Sequence, residues 1–165
     1  MGFIQQHTHR VYRRGFTLIE VVTMVLVLAI AVPPTLEILV SSSASRVNVI
    51  NTARATMLAN NVLEGILADV ASGDKSLGFE ALVDSDAYLN TPTTGFVARM
   101  NSATQAFTSL GLDYRVVISG LVGSDGLVSG EAWENVFRTV TVTVSYPSAD
   151  GDAYELPVSL MVAEL

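Results

Sequence analysis

From Phe16 to Val32 the chain is apolar at every position except Thr17, Glu20 and Thr23. An apolar run of this length predicts a helix covering roughly 25 Å at about 1.5 Å per residue, slightly short of a ~30 Å hydrocarbon core. With no charge from residue 21 to residue 36, it suits insertion in a bilayer that adjusts a little around it. Pro33 and Pro34 then disturb the pattern. Each proline lacks a backbone N–H and restricts the residue before it, so a pair inside a helix costs well over the ~3 kcal/mol of one. The expected outcome is a kink or a melted segment from Val32 to Thr35, or else the end of the membrane span.

Helix should resume and run to about Val70. Val47, Ile50, Ala53, Met57 and Leu58 recur at helical steps, and Val62, Ile66 and Val70 continue at four-residue steps, a stripe that predicts packing on a sheet. Arg46 and Arg54 fall outside it and read as solvated charges. Gly73, just past the last apolar position, suits a helix terminus. From Asp74 to about Gly111 short apolar pieces, Leu77 to Val83 and Gly95 to Met100, alternate with polar residues and Pro92, which predicts a wrapped connection with one or two short helices. The last third alternates with a period of two: strands are expected over Tyr114 to Ser119, Arg138 to Tyr146 and Tyr154 to Val162. Asp150-Gly151 between the last two marks an antiparallel hairpin, and Pro157 makes the final strand an edge or places a bulge in it. Trp133 and Phe137 share a parity that the following valines lack; a bulge, or a loop ending near Asn135, accounts for this, with both rings expected in the core.

Composition narrows what such a chain does. At 165 residues there is room for one anchored domain. Three of the nine basic residues, Arg10, Arg13 and Arg14, lie in residues 1–15 with no acid, so the remainder sets six basic against all 16 acidic residues, a charge of −10. The positive-inside bias leaves the basic end cytoplasmic and exports the acidic part, whose charge opposes direct nucleic-acid binding through phosphates. Without cysteine, disulfides and thiolate chemistry are excluded. Both histidines, His7 and His9, precede Gly15. Asp84 with Asp86, and Asp150 with Asp152, are calcium candidates by their oxygen ligands, but they equally suit solvated turns, and neither has the spacing of a twelve-residue calcium loop. No cofactor is expected, nor is an enzymatic activity: no nucleophile elbow or phosphate-cradling glycine loop is present.

The segment Arg13-Arg14-Gly15-Phe16-Thr17-Leu18-Ile19-Glu20 is the informative motif. An acidic residue in hydrocarbon costs about 2.5–3.5 kcal/mol on insertion scales, so Glu20 is a functional candidate by default. Gly15, with no side chain, lets the backbone run extended through a narrow space.

Followed by VVTMVLVLAIAV, this segment closely resembles the processing signal of type IV prepilins and of the pseudopilins of type II secretion, over residues 10–32. The resemblance implies cleavage between Gly15 and Phe16 by a membrane-embedded prepilin peptidase, N-methylation of Phe16, a leader charge at Arg13 and Arg14, and pairing of Glu20 with the amine of a neighbouring subunit. A helix break at Pro33 and Pro34 fits the family, which commonly has a single proline there. A faint likeness of Ala55 to Ala59 and Leu63-Glu64 to minor pilins and minor pseudopilins favours a minor subunit.

Two other readings remain open. Ala29-Ile30-Ala31 looks like a signal-peptidase site and Arg13-Arg14 like a twin-arginine signal, giving an exported soluble binding or enzymatic domain cleaved near Ala31; alternatively the run is a simple anchor. Neither explains Glu20. The expectation is an α+β, pilin-like fold, a long N-terminal helix kinked at Pro33-Pro34 on a small antiparallel sheet. It comprises a leader at 1–15, a transmembrane assembly helix at 16–40 and an extracytoplasmic head at 41–165, with helix to about 72, a connection over 73–111 and a sheet over 112–165. The expected partners are prepilin peptidase, other pilin or pseudopilin subunits, an inner-membrane assembly platform and the lipid bilayer. The expected location is the bacterial inner membrane, then a pilus or secretion filament.

Overall fold

A computed structural model describes residues 15–74, 76–149 and 151–164. The order is α1 (Leu18–Ala71), a 3-10 turn (Phe79–Val83), α2 (Ser85–Asn90), α3 (Phe96–Thr108), β1 (Asp113–Val122), a second 3-10 turn (Ala132–Glu134), β2 (Phe137–Pro147) and β3 (Ala153–Ala163). This is an α+β arrangement in which a long apolar N-terminal helix packs on a three-stranded antiparallel sheet ordered β1-β2-β3.

The chain divides into two compact units, up to Ser42 and from Ser43 onward. In the first, α1 carries an 18-residue window with no buried residue, long and apolar enough to cross a membrane. Pro33 and Pro34 do not interrupt it: the helix is continuous through both. The missing N–H groups orphan the carbonyls of Ala29 and Ile30. Thr35 Oγ1 shares its single hydrogen between the carbonyls of Val32 (2.7 Å) and Ala31 (3.3 Å), one turn on from the two orphaned ones.

In the second unit the period-two pattern of β2 decides the core. Val140, Val142 and Val144 are fully buried against Leu58, Ala59, Val62 and Ile66 of α1, each valine stabilising by about 1.5–3 kcal/mol. Thr139, Thr141 and Thr143 take the other face, where they are half-exposed. The stripe expected on α1 is only half right. Leu58, Val62 and Ile66 face the sheet, but Val47, Ile50, Ala53 and Met57 are exposed, and Asn51, Ala55, Ala59, Leu63 and Asp69 are buried instead. Polar anchors set this rotation. Asn51 Nδ2 donates to the Pro147 carbonyl at 2.9 Å, Asn48 Oδ1 accepts from the Ala149 N–H at 2.9 Å, and Thr52 Oγ1 meets the Tyr146 hydroxyl at 3.2 Å.

The helix ends as expected, with Gly73 at φ +69°. Between helix and sheet the chain is more helical than its composition suggested, because α3 runs for 13 residues. Gly95 precedes α3 where a Cβ would lie 2.6 Å from both the N and the O of Thr91. Gly95→Ala is therefore expected to lower stability by about 1–3 kcal/mol, read as a reduced midpoint in chemical denaturation. The β2–β3 hairpin forms with Gly151 at φ +92°. Pro157 pairs with Thr143 on edge strand β3 in unbroken register, so of the two expected outcomes the edge holds and no bulge occurs.

Candidate functional site

Gly15, Phe16 and Thr17 lead extended into α1. Thr17 begins the helix: its carbonyl accepts from the N–H groups of Glu20 and Val21 at 3.1 and 3.2 Å, and its Oγ1 also accepts from Glu20 N at 3.3 Å. Glu20 lies in the first helical turn, where the helix dipole favours a carboxylate. Thr17-x-x-Glu20 has the spacing of a capping box, a signal that sequence reading overlooked, and the bond from Glu20 N to Thr17 Oγ1 is its observed half. Thr23 Oγ1 returns to the carbonyls of Ile19 and Glu20 at 2.9 and 3.0 Å.

Phe16 is 70% exposed, and Leu18, Ile19, Val22, Val25, Leu26, Val27, Leu28 and Ile30 are exposed after it. A helix apolar on all sides is stable only when something apolar surrounds it. Arg13 and Arg14 lie outside the described residues, as does Asp150.

The other sequence candidates are spread apart. Asp84 caps α2, its Oδ1 accepting from Ala87 N at 3.0 Å, and Asp86 Oδ1 accepts from Asn90 Nδ2 at 2.7 Å. Asp152 is exposed, and its carbonyl accepts from Ser148 N. Among the described residues no group of three or more His, Asp or Glu side chains is placed to hold a metal ion. Trp133 corrects an expectation: it is solvent-exposed, because the chain from Gly123 to Val136 is a loop that leaves the sheet before β2 begins.

Sequence reading also missed a buried polar cluster. Arg99 of α3 clamps Asp69 of α1 in two bonds, 2.8 Å to Oδ1 and 2.5 Å to Oδ2, while the Tyr88 hydroxyl donates to Oδ2 at 2.7 Å. Phe96 supports both partners, its ring 5.7 Å from that of Tyr88 and 5.6 Å from the Arg99 guanidinium. Burial, followed by the hydrogen bond to Asp69, pushes the Tyr88 phenol well above its ordinary pKa. The same carboxylate raises that of Arg99. Ser76, Glu80, Asp84, Tyr88, Thr94 and Arg99 border a surface cavity of about 480 Å³. Arg99 is already bound to Asp69 and, through Nε, to the Thr94 carbonyl, so among the described residues the cavity presents no uncommitted cation to a ligand.

Comparison with protein-family models, curated proteins and solved structures returns no match.

Proposed function

We propose that the chain is a prepilin-like structural subunit, a minor pilin of a type IV pilus or a pseudopilin of a type II secretion filament. The supporting observation is one helix with two environments: exposed apolar residues over its first half, directly behind Gly15-Phe16, and a sheet-packed face from Asn51 onward. Prepilin peptidase cleaves after Gly15 and methylates Phe16. The subunit waits in the inner membrane with its acidic head outside the cytoplasm, then packs its helix among those of neighbours, docked by the assembly platform.

Mass spectrometry of the mature N-terminus in a host carrying prepilin peptidase tests this. N-methylated Phe16 is the expected first residue. Val32 in that position would identify a removable signal peptide, and retained Met1 or Gly2 a simple anchor; either result overturns the proposal.

Glu20 has two competing roles, and one substitution separates them. Glu20→Gln keeps a side chain suited to a capping box but removes the charge that would meet a neighbour's amine. Normal processing with filament incorporation reduced at least about tenfold is expected from the loss of a desolvated charge pair. Wild-type incorporation of Glu20→Gln would leave Glu20 with the capping role alone. Glu20→Ala is expected to be processed and to assemble at least as poorly.

A further inference from the structure

The loop between β1 and β2 displays apolar side chains where a lone domain would hide them. Leu127 is 69% exposed, Val128 76% and Trp133 72%. The loop is nonetheless held by a dense set of bonds. Gly123 N donates to the Leu127 carbonyl at 2.8 Å and Leu127 N to Asp125 Oδ1 at 3.0 Å. Asn135 ties the two limbs, its Oδ1 accepting from Ser129 N at 2.8 Å and its Nδ2 donating to the Ser129 carbonyl at 2.9 Å, while Ser129 Oγ donates to Glu134 Oε2 at 2.5 Å. A pre-ordered loop presenting a tryptophan loses little conformational entropy on docking, and tryptophan is enriched among the residues that dominate interface energy. Its charges are of one sign: Asp125, Glu131 and Glu134, with no Lys or Arg from Val116 to Phe137.

The complement lies on the same chain. Opposite the sheet-packed face of α1, at helical spacing, stand Arg46, Val49, Ile50, Ala53 and Met57, all exposed. Between Ile38 and Leu63 the only charges are Arg46 and Arg54. We infer that the Leu127–Val128–Trp133 loop of one copy docks on the Arg46–Ile50–Met57 face of α1 in a second copy. Apolar groups supply the burial, and the acidic rim meets the arginines. Charge complementarity selects this occupant over an anionic membrane surface, which the carboxylates repel. Two different patches meet, so the contact is head-to-tail and propagates from copy to copy unless it closes into a ring. The contact deepens the filament reading and takes its role from it.

Because the chain has no cysteine, single thiols report the contact in the full-length protein in its membrane. Trp133→Cys and Ile50→Cys chains with different tags are combined and treated with a bismaleimide, with Ser102→Cys, exposed on α3, replacing Trp133→Cys as control. Preferential Trp133–Ile50 heterodimers are expected. Arg46→Glu should lower their yield roughly two- to fivefold, the range of an exposed ion pair, and adding Glu131→Arg with Glu134→Arg should restore it. Yield no higher than the control, or unchanged by Arg46→Glu, overturns the contact. So does protection of Trp133 by lipid vesicles or oligosaccharide in a chain that shows no cross-link. If methylated Phe16 and filaments appear without the cross-link, this contact fails and the filament reading survives; a cross-link with no cleavage at Gly15 gives the reverse.

Discussion

Gly15→Val is expected to leave the chain at full length, with residues 1–15 still attached, and to keep it out of any filament. Among the described residues a Cβ at Gly15 meets no atom within 4 Å, so valine there disturbs none of them and the expected loss of processing arises in the peptidase cleft. A clash of about 1–3 kcal/mol with a cleft shaped for glycine slows cleavage roughly tenfold to a hundredfold. Without cleavage there is no α-amino group at Phe16, and Glu20 has no cation to meet. The rival readings predict otherwise. A signal peptidase acting near Ala31 ignores position 15, and a simple anchor is not cut at all. Immunoblots of wild-type and Gly15→Val chains, with and without prepilin peptidase, separate the three outcomes: only a peptidase-dependent size difference abolished by valine fits the proposal.

The legible parts of this fold are those where one period answers one environment. Thr139 to Val144 alternates because one face of β2 meets α1 and the other meets solvent, and the hairpin follows from Asp150-Gly151. The helix from residue 43 onward defeated the same reasoning because it has two apolar faces. Val47, Ile50, Ala53 and Met57 form as good a stripe as the buried one, and periodicity does not say which stripe the sheet takes. Asn48, Asn51 and Thr52 decide that, through bonds to residues about a hundred positions away. At the proline pair chain-local cost argued for a kink, a melted segment or the end of the span; the helix neither melts nor ends there, because an otherwise strongly apolar helix favours continuity. The parity mismatch of Trp133 with the valines did point to a loop ending near Asn135, but it does not say that such a loop turns the indole out to solvent. At the candidate site, the exposed apolar helix behind Gly15 was legible, whereas the place of Glu20 in the first helical turn needed the observed helix start.

The Asp69–Arg99–Tyr88 cluster was invisible because its members lie 19 and 30 residues apart; one carboxylate between Ile66 and Val70 was the sole hint. It also carries the largest expected change in stability. In Arg99→Met the Asp69 carboxylate, 10% exposed in its side chain, keeps only the Tyr88 hydroxyl. Stranding a buried charge costs about 3–5 kcal/mol when burial is complete. Arg99 is itself 32% exposed, so water reaches the site and about 2–3 kcal/mol is the expected loss. Asp69→Asn should cost less, about 1–2 kcal/mol, because the amide oxygen still accepts from Tyr88 and the freed guanidinium turns to solvent. The double variant should be more stable than Arg99→Met alone, since no carboxylate then remains buried. Chemical denaturation of the four proteins completes the cycle. Additive losses would mean that the ion pair is incidental and that Arg99 acts through its packing on Phe96. Recovery in the double variant would show that the pair itself joins the end of α1 to α3.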